Sequence, residues 1–153
     1  MLRSLLMGLV AGQRAMTPLA VITAAAGRGA LPRNAPMQGL LSHPVVIFGA
    51  AALAVGEMIG DKLPSAPDRI IIPGLLARST TAAIAGAVLA PAGERKLAAM
   101  LAAATAVGAS YIGFALRIRA MRHFSQTSTG LVEDAVVLGS GLAIANAKSP
   151  SGA

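Results

Sequence analysis

Apolar residues run through this chain in long blocks rather than in the three-and-four spacing of a surface helix. The blocks cover residues 4 to 27, 34 to 56, 70 to 93, 97 to 116 and 123 to 147, each near the ~20 residues an α-helix needs to cross a bilayer. The stretch from Leu97 to Leu116 carries no polar stripe, although a helix on a soluble bundle would show one every turn. The pattern predicts an all-α fold, a polytopic integral membrane bundle of about five transmembrane helices. Residues 1–148 form one integral membrane domain in this reading, and 149–153 are a disordered tail.

The connections follow from turn chemistry. Arg28 to Pro36 holds the prolines and bases of an interfacial link, residues 37 to 42 suit a short surface helix, and His43-Pro44 opens the second span. Lys62-Leu-Pro-Ser-Ala-Pro-Asp-Arg69 is a stiff polar turn, and Pro73 fits the first turn of the third span. The short link from Ala92 to Lys96 makes the fourth span return as an antiparallel neighbour. That span ends at Arg117, Arg119 and Arg122, and a polar run from Ser125 to Thr129 leads into the fifth. The first residues have the basic and apolar parts of a signal peptide, but Arg14 and Pro18 inside the apolar stretch argue for a retained helix.

Composition agrees with a membrane setting. The chain is 55% hydrophobic and 12% charged, with mean hydropathy +0.69, whereas soluble domains carry about 25% charged residues. The absence of cysteine excludes disulfides, thiolate metal sites, iron–sulfur clusters and cysteine nucleophiles. A net charge of +7 points to lipid headgroups rather than nucleic acid, because most bases flank apolar blocks. Aromatics are scarce, so seating at the interface falls to arginine, lysine, Tyr111, Phe48, Phe114 and Phe124. In the five-span arrangement Arg3, Lys62, Arg69, Arg117, Arg119 and Arg122 face Arg28, Arg33, Arg95, Lys96 and Lys148 across the membrane. This near balance leaves orientation open and admits a homo-oligomer, an antiparallel dimer included.

Arg14 and Arg78 are the costly features. Each interrupts an otherwise uncharged stretch of span length, at a cost of at least roughly 2.5–3.5 kcal/mol unless acids, carbonyls or water meet it. Glu57, Asp61, Glu133 and Asp134 are the expected partners. Glu57 and Asp61 share a helix face beside Gly56 and Gly60, which implies a close-packed neighbouring helix. As a pair they could hold a cation or share a proton; equally, Asp61 could pair with Lys62 and Glu57 with an arginine. Glu133 and Asp134 diverge by about 100°. Should the fifth span begin at Thr129, they lie in its first turn and complement the helix dipole. Thr17 and Thr81 each follow an arginine by three positions, and Pro18 kinks the first span by freeing a carbonyl near Arg14. The echo of Arg14-Ala-Met-Thr17 in Arg78-Ser-Thr-Thr81 suggests a duplicated helical hairpin plus one extra helix, arranged as a parallel repeat. The spacing of Lys62 and Arg69 is that of a motif in type-2 phosphatidic-acid phosphatases. Ile70 stands where that motif has proline, and no Pro-Ser-Gly-His occurs, so an enzyme is not expected.

Several segments together carry a resemblance: Gly12-Gln-Arg14-Ala-Met-Thr-Pro18, Glu57, Gly60-Asp61-Lys62-Leu-Pro-Ser65-Ala-Pro-Asp68-Arg69, Ala77-Arg78 and Val132-Glu133-Asp134. The pattern resembles the bacterial membrane-protein family catalogued as domain of unknown function 4126 (DUF4126), over most of the chain. The resemblance implies a compact multi-span protein of a bacterial inner membrane and brings no activity, substrate or cofactor with it. From the residues, the expected function is transport or conduction of a small ion or polar solute past Arg14, Thr17, Glu57, Asp61, Arg78, Thr81, Glu133 and Asp134. The loop residues Lys62, Ser65, Asp68 and Arg69 stand beside them, with no metal and no cofactor expected. The alternative is a scaffold or assembly protein whose buried ion pairs only specify packing.

Overall fold

Every regular element among the described residues is a helix. The computed structural model describes residues 1–32, 34–62 and 71–147. Its elements are α1 (Leu2–Gln13), α2 (Thr17–Gly27), α3 (Gln38–Leu41), α4 (Pro44–Gly60), α5 (Ile72–Leu89), a 3-10 turn (Ala92–Glu94), α6 (Arg95–Ala120) and α7 (Gln126–Asn146). Three helical stretches are long and apolar enough to cross a membrane: Ile72–Leu89, Ala92–Ala120 and Gln126–Asn146. The short surface helix, the tight link between α5 and α6, and Pro73 in the first turn of α5 match the sequence reading. His43 caps α4, its Nδ1 accepting from the Val45 N–H at 3.3 Å.

The first apolar block is not one helix. Arg3, in the first turn of α1, donates from Nε to the Ile144 carbonyl (3.0 Å) and from Nη2 to the Ala145 carbonyl (2.9 Å). Arg28, just past α2, donates to Asn146 Oδ1 at 3.3 Å. Both outer ends therefore lie at the C-terminal end of α7, whereas a continuous helix from residue 3 to 28 would hold them about 38 Å apart. Arg14 meets Asp134, so residues 3 to 14 of α1 run alongside residues 145 to 134 of α7 in opposite directions. The chain reverses at Arg14-Ala15-Met16, and α1 and α2 form a hairpin with that tripeptide as its tip. Pro18 accordingly stands in the first turn of α2, where its missing N–H costs nothing, and is not a kink within a helix.

Small residues set the packing of α1. A Cβ on Gly8 would stand 2.6 Å from the Ala102 carbonyl oxygen, and one on Gly12 would stand 2.7 Å from that of Ala106 and collide with Ala109. Thus α1 lies against α6 nearly backbone to backbone and runs in the same direction, while Gly86 brings α5 equally close to Ala98 and Ala102 from the opposite direction. In lipid, where apolar side chains gain little by leaving their solvent, such close approach is what binds helices. Hydroxyls add to it: Ser110 donates to the Gly12 carbonyl (3.1 Å), and Ser4 to that of Gly86 (3.0 Å). On the other side of the hairpin Met7, Val10, Val21, Ile22 and Ala25 share one buried cluster with Val88 and Val137.

Two expectations change here. A Cβ on Gly56 or Gly60 would meet nothing within 4 Å, so the close-packed neighbour inferred for them is absent among the described residues; Gly8, Gly12 and Gly86 make that kind of contact instead. Arg14 ends α1 and turns the chain, while Arg78 sits within the continuous helix α5, which runs against α1. The parallel repeat expected from their sequence echo therefore does not hold for α1 and α5. The stiff turn over 63–70 and the tail after 147 lie outside the described residues.

Candidate functional site

The hairpin tip creates two helix ends inside the bundle, and each is met by the charge its dipole calls for. At the end of α2 the peptide N–H groups of Ala15 and Met16 donate to the two carboxylate oxygens of Glu57, at 2.7 and 2.8 Å. The helix has no capping side chain of its own, so a glutamate near the end of α4 satisfies the N-cap N–H of Met16 from outside, as the acid of a capping box does from within, and the Ala15 N–H before it. At the end of α1, where the dipole is negative, stands Arg14. Gln13 and Ser110 complete that end, Gln13 Nε2 donating to the Ala109 carbonyl at 3.0 Å.

Arg14 is 1% exposed and spreads its guanidinium between two helices. Nε donates to Asp134 Oδ1 at 2.7 Å, Nη2 pairs with the same oxygen at 2.6 Å outside hydrogen-bond geometry, and Nη1 pairs with Asp61 Oδ2 at 2.9 Å. The network continues outward. Lys62 Nζ donates to Asp134 Oδ2 and to the Met58 carbonyl (2.8 Å), while Arg117 Nη1 takes Asp61 Oδ2 and lies 3.5 Å from Glu133 Oε2. Cations from the tip, α6 and the segment after α4 thus alternate with acids from α4 and α7. A planar guanidinium can bridge two carboxylates in this way and a single ammonium cannot.

Comparison with family models, curated proteins and solved structures finds no match to this chain. Its chemistry therefore rests on the residues themselves.

Of the residues singled out from sequence, Arg14, Asp61, Asp134 and Glu133 meet in one network with Lys62, and Glu57 adjoins it. Their pairing differs in detail. Asp61 takes Arg14 and Arg117 rather than Lys62, and Glu57 holds backbone N–H groups rather than an arginine. Glu133 and Asp134 are not in a first turn, because α7 begins at Gln126 with Ser125 as its cap, so they reach the network by packing and not by the helix dipole. Their divergence sends Asp134 to Arg14 and Lys62, and Glu133 to Arg117. Thr17 is fully buried in the first turn of α2, and its Oγ1 has no hydrogen-bond partner among the described residues. Arg78 is buried on α5, and Thr81 donates to the Arg78 carbonyl within that helix (3.2 Å). Ser65, Asp68 and Arg69 lie outside the described residues. Arg117 and Gln13 are members that sequence reading missed. Arg117 reads as one of three bases flanking a span, and nothing in its spacing sets it apart from Arg119 and Arg122. Among the described residues no three or more of His, Asp and Glu stand together as a metal-ligand set.

Proposed function

We propose that the protein is a small membrane transporter or channel in which the α1–α2 hairpin enters the bilayer and returns, with α4, α5, α6 and α7 crossing it. The observation that carries this reading is the tip itself, two half-length helices ending among buried charges. Broken helices of this kind place peptide N–H and C=O ends near the bilayer midplane, where a continuous helix has none; here Glu57 and Ser110 hold them, so a solute engages the tip by competing with those partners. Asp134 stands eight residues into α7, about 12 Å along a helix that crosses roughly 30 Å, while Asp61 caps α4, so the tip lies inside α7's length and level with the end of α4. The unmet hydroxyl of Thr17 supplies a polar group next to it, and Glu57 is the gatepost that holds the tip in place. The passing species is a small ion or polar solute, in an inner-membrane setting.

The arrangement replaces five spans by four and a hairpin. Because the chain has no cysteine, single introduced cysteines can test this in sealed vesicles. Leu2→Cys and Ala30→Cys, both at exposed positions, are expected to react with an impermeant maleimide from the same side. Labelling from opposite sides would restore a continuous first span and end the hairpin reading.

Function is tested in proteoliposomes against a panel of protons, alkali cations, halides and small zwitterions. Wild type is expected to pass at least one of them. Glu57→Gln, which leaves one carbonyl oxygen for two N–H donors, is expected to lower that flux at least about tenfold. A second reading, the non-transporting scaffold, is favoured by one observation, the complete burial of Arg14 between two aspartates. A folded wild type that passes nothing on the panel decides for the scaffold.

A further inference from the structure

Consecutive helices α6 and α7 are joined by a short turn yet do not pack along each other: α6 packs on α1 and α5, and α7 on α1 and α2. Their divergence leaves an open cleft of about 580 Å³, within the size of an ordinary ligand pocket. Leu116, Ala120 and Phe124 line one wall, and Val132, Val136 and Val137 the other. Gln13 lies across Gly113 at its floor, while Arg117 and Glu133, already paired with each other, provide its charged end.

Two features identify an occupant. The first is the wall chemistry: a space this apolar offers water too few partners to stay, and in a bilayer it opens onto acyl chains. The second is charge in the stretch that supplies Ala120 and Phe124 to the cleft wall. Arg119, Arg122 and His123 are exposed where α6 ends, whereas Glu57, Asp61, Glu133 and Asp134, the described acids toward that end of the bundle, are engaged inward. Basic residues beside a cleft between membrane helices are the arrangement that recognises anionic headgroups.

We infer that this cleft is a binding site for an anionic phospholipid, one acyl chain lying between α6 and α7 and the phosphate held by Arg119 and Arg122. The site is separate from the hairpin tip, and it stands or falls independently of transport.

Native mass spectrometry of the detergent-purified protein tests it, with phosphatidylglycerol, phosphatidylcholine of the same chains, and inorganic phosphate as probes. Wild type is expected to retain one phosphatidylglycerol with a roughly tenfold to thirtyfold preference over phosphatidylcholine, the size expected of two arginines at a membrane surface. Arg119→Gln with Arg122→Gln is expected to erase the preference. Val136→Trp, at an exposed position on the wall, is expected to fill the cleft and abolish retention of both lipids. Leu116→Trp on the facing wall provides the same reading should Val136→Trp not fold. Equal retention of the two lipids by wild type overturns headgroup recognition. Undiminished retention by a folded tryptophan variant overturns the cleft as the site. Displacement of the lipid by equimolar inorganic phosphate overturns the role of the acyl chain.

Discussion

Arg14→Met is expected to lower the melting temperature of the detergent-solubilised protein by roughly 6 to 12 °C, the largest effect of any single substitution in the bundle. The magnitude follows from what is left behind. Breaking a buried ion pair by removing one partner costs about 3–5 kcal/mol, because the surviving charge keeps its desolvation penalty and loses its compensation. Here Asp134 would retain Lys62 and Asp61 would retain Arg117, which places the loss toward the lower figure. The hairpin, however, would lose the cation that fastens its tip to both α4 and α7. Arg14→Lys is expected to fall between, since an ammonium can satisfy Asp134 or Asp61 but cannot span them as Nε, Nη1 and Nη2 do. A double-mutant cycle of Arg14→Gln and Asp134→Asn should return a coupling of about 1–3 kcal/mol. Melting of Arg14→Met together with wild type would mean that the cluster contributes no net stability, and that its retention needs another cause.

Much of this was visible in the residues, and the exceptions have a common origin. Apolar blocks of about twenty residues read as helices because only a helix satisfies its backbone within a single segment when water is absent. Arg14, Asp61 and Asp134 could be brought together as partners because a charge deep in such a block requires an answer. What could not be read was direction. Hydropathy is the same whether residues 4 to 27 continue or fold back, and the reversal depends on an N–H acceptor, Glu57, supplied from more than 40 residues away. Pro18 was the local signal: in the first turn of a new helix it is at home, while within a continuous one it is a kink, and composition alone does not separate these. The start of α7 is ambiguous in the sequence for a related reason. Ser125-Gln126-Thr127-Ser128 looks like a loop, yet Ser125 accepts from the Ser128 N–H and the polar run is already helix. Arg117 escaped because a base at a helix end is usually a headgroup neighbour, and only the arrival of Asp61 and Glu133 from two other helices makes it part of the network.

Gly12→Ala is expected to be the second most damaging change, although it adds one methyl group. The new Cβ would stand 2.7 Å from the Ala106 carbonyl oxygen and press on Ala109, both on the facing helix, and no flexible side chain is there to yield. Overpacking of a tight contact typically costs about 1–3 kcal/mol, and α1 can relieve it only by moving away from α6. That motion would carry Arg14 with it, since Arg14 follows Gly12 by two residues, so the strain reaches the charged tip. Gly56→Ala provides the control. A Cβ there meets nothing within 4 Å, and alanine is the better helix former by up to about 1 kcal/mol, so that variant should melt at or slightly above wild type. Equal melting of Gly12→Ala and Gly56→Ala would mean that α1 does not pack backbone to backbone on α6. The opposite responses of two glycines in apolar helices would instead tie the position of the hairpin tip to a contact of two small residues, which makes helix spacing, as much as charge, the determinant of where Arg14 sits.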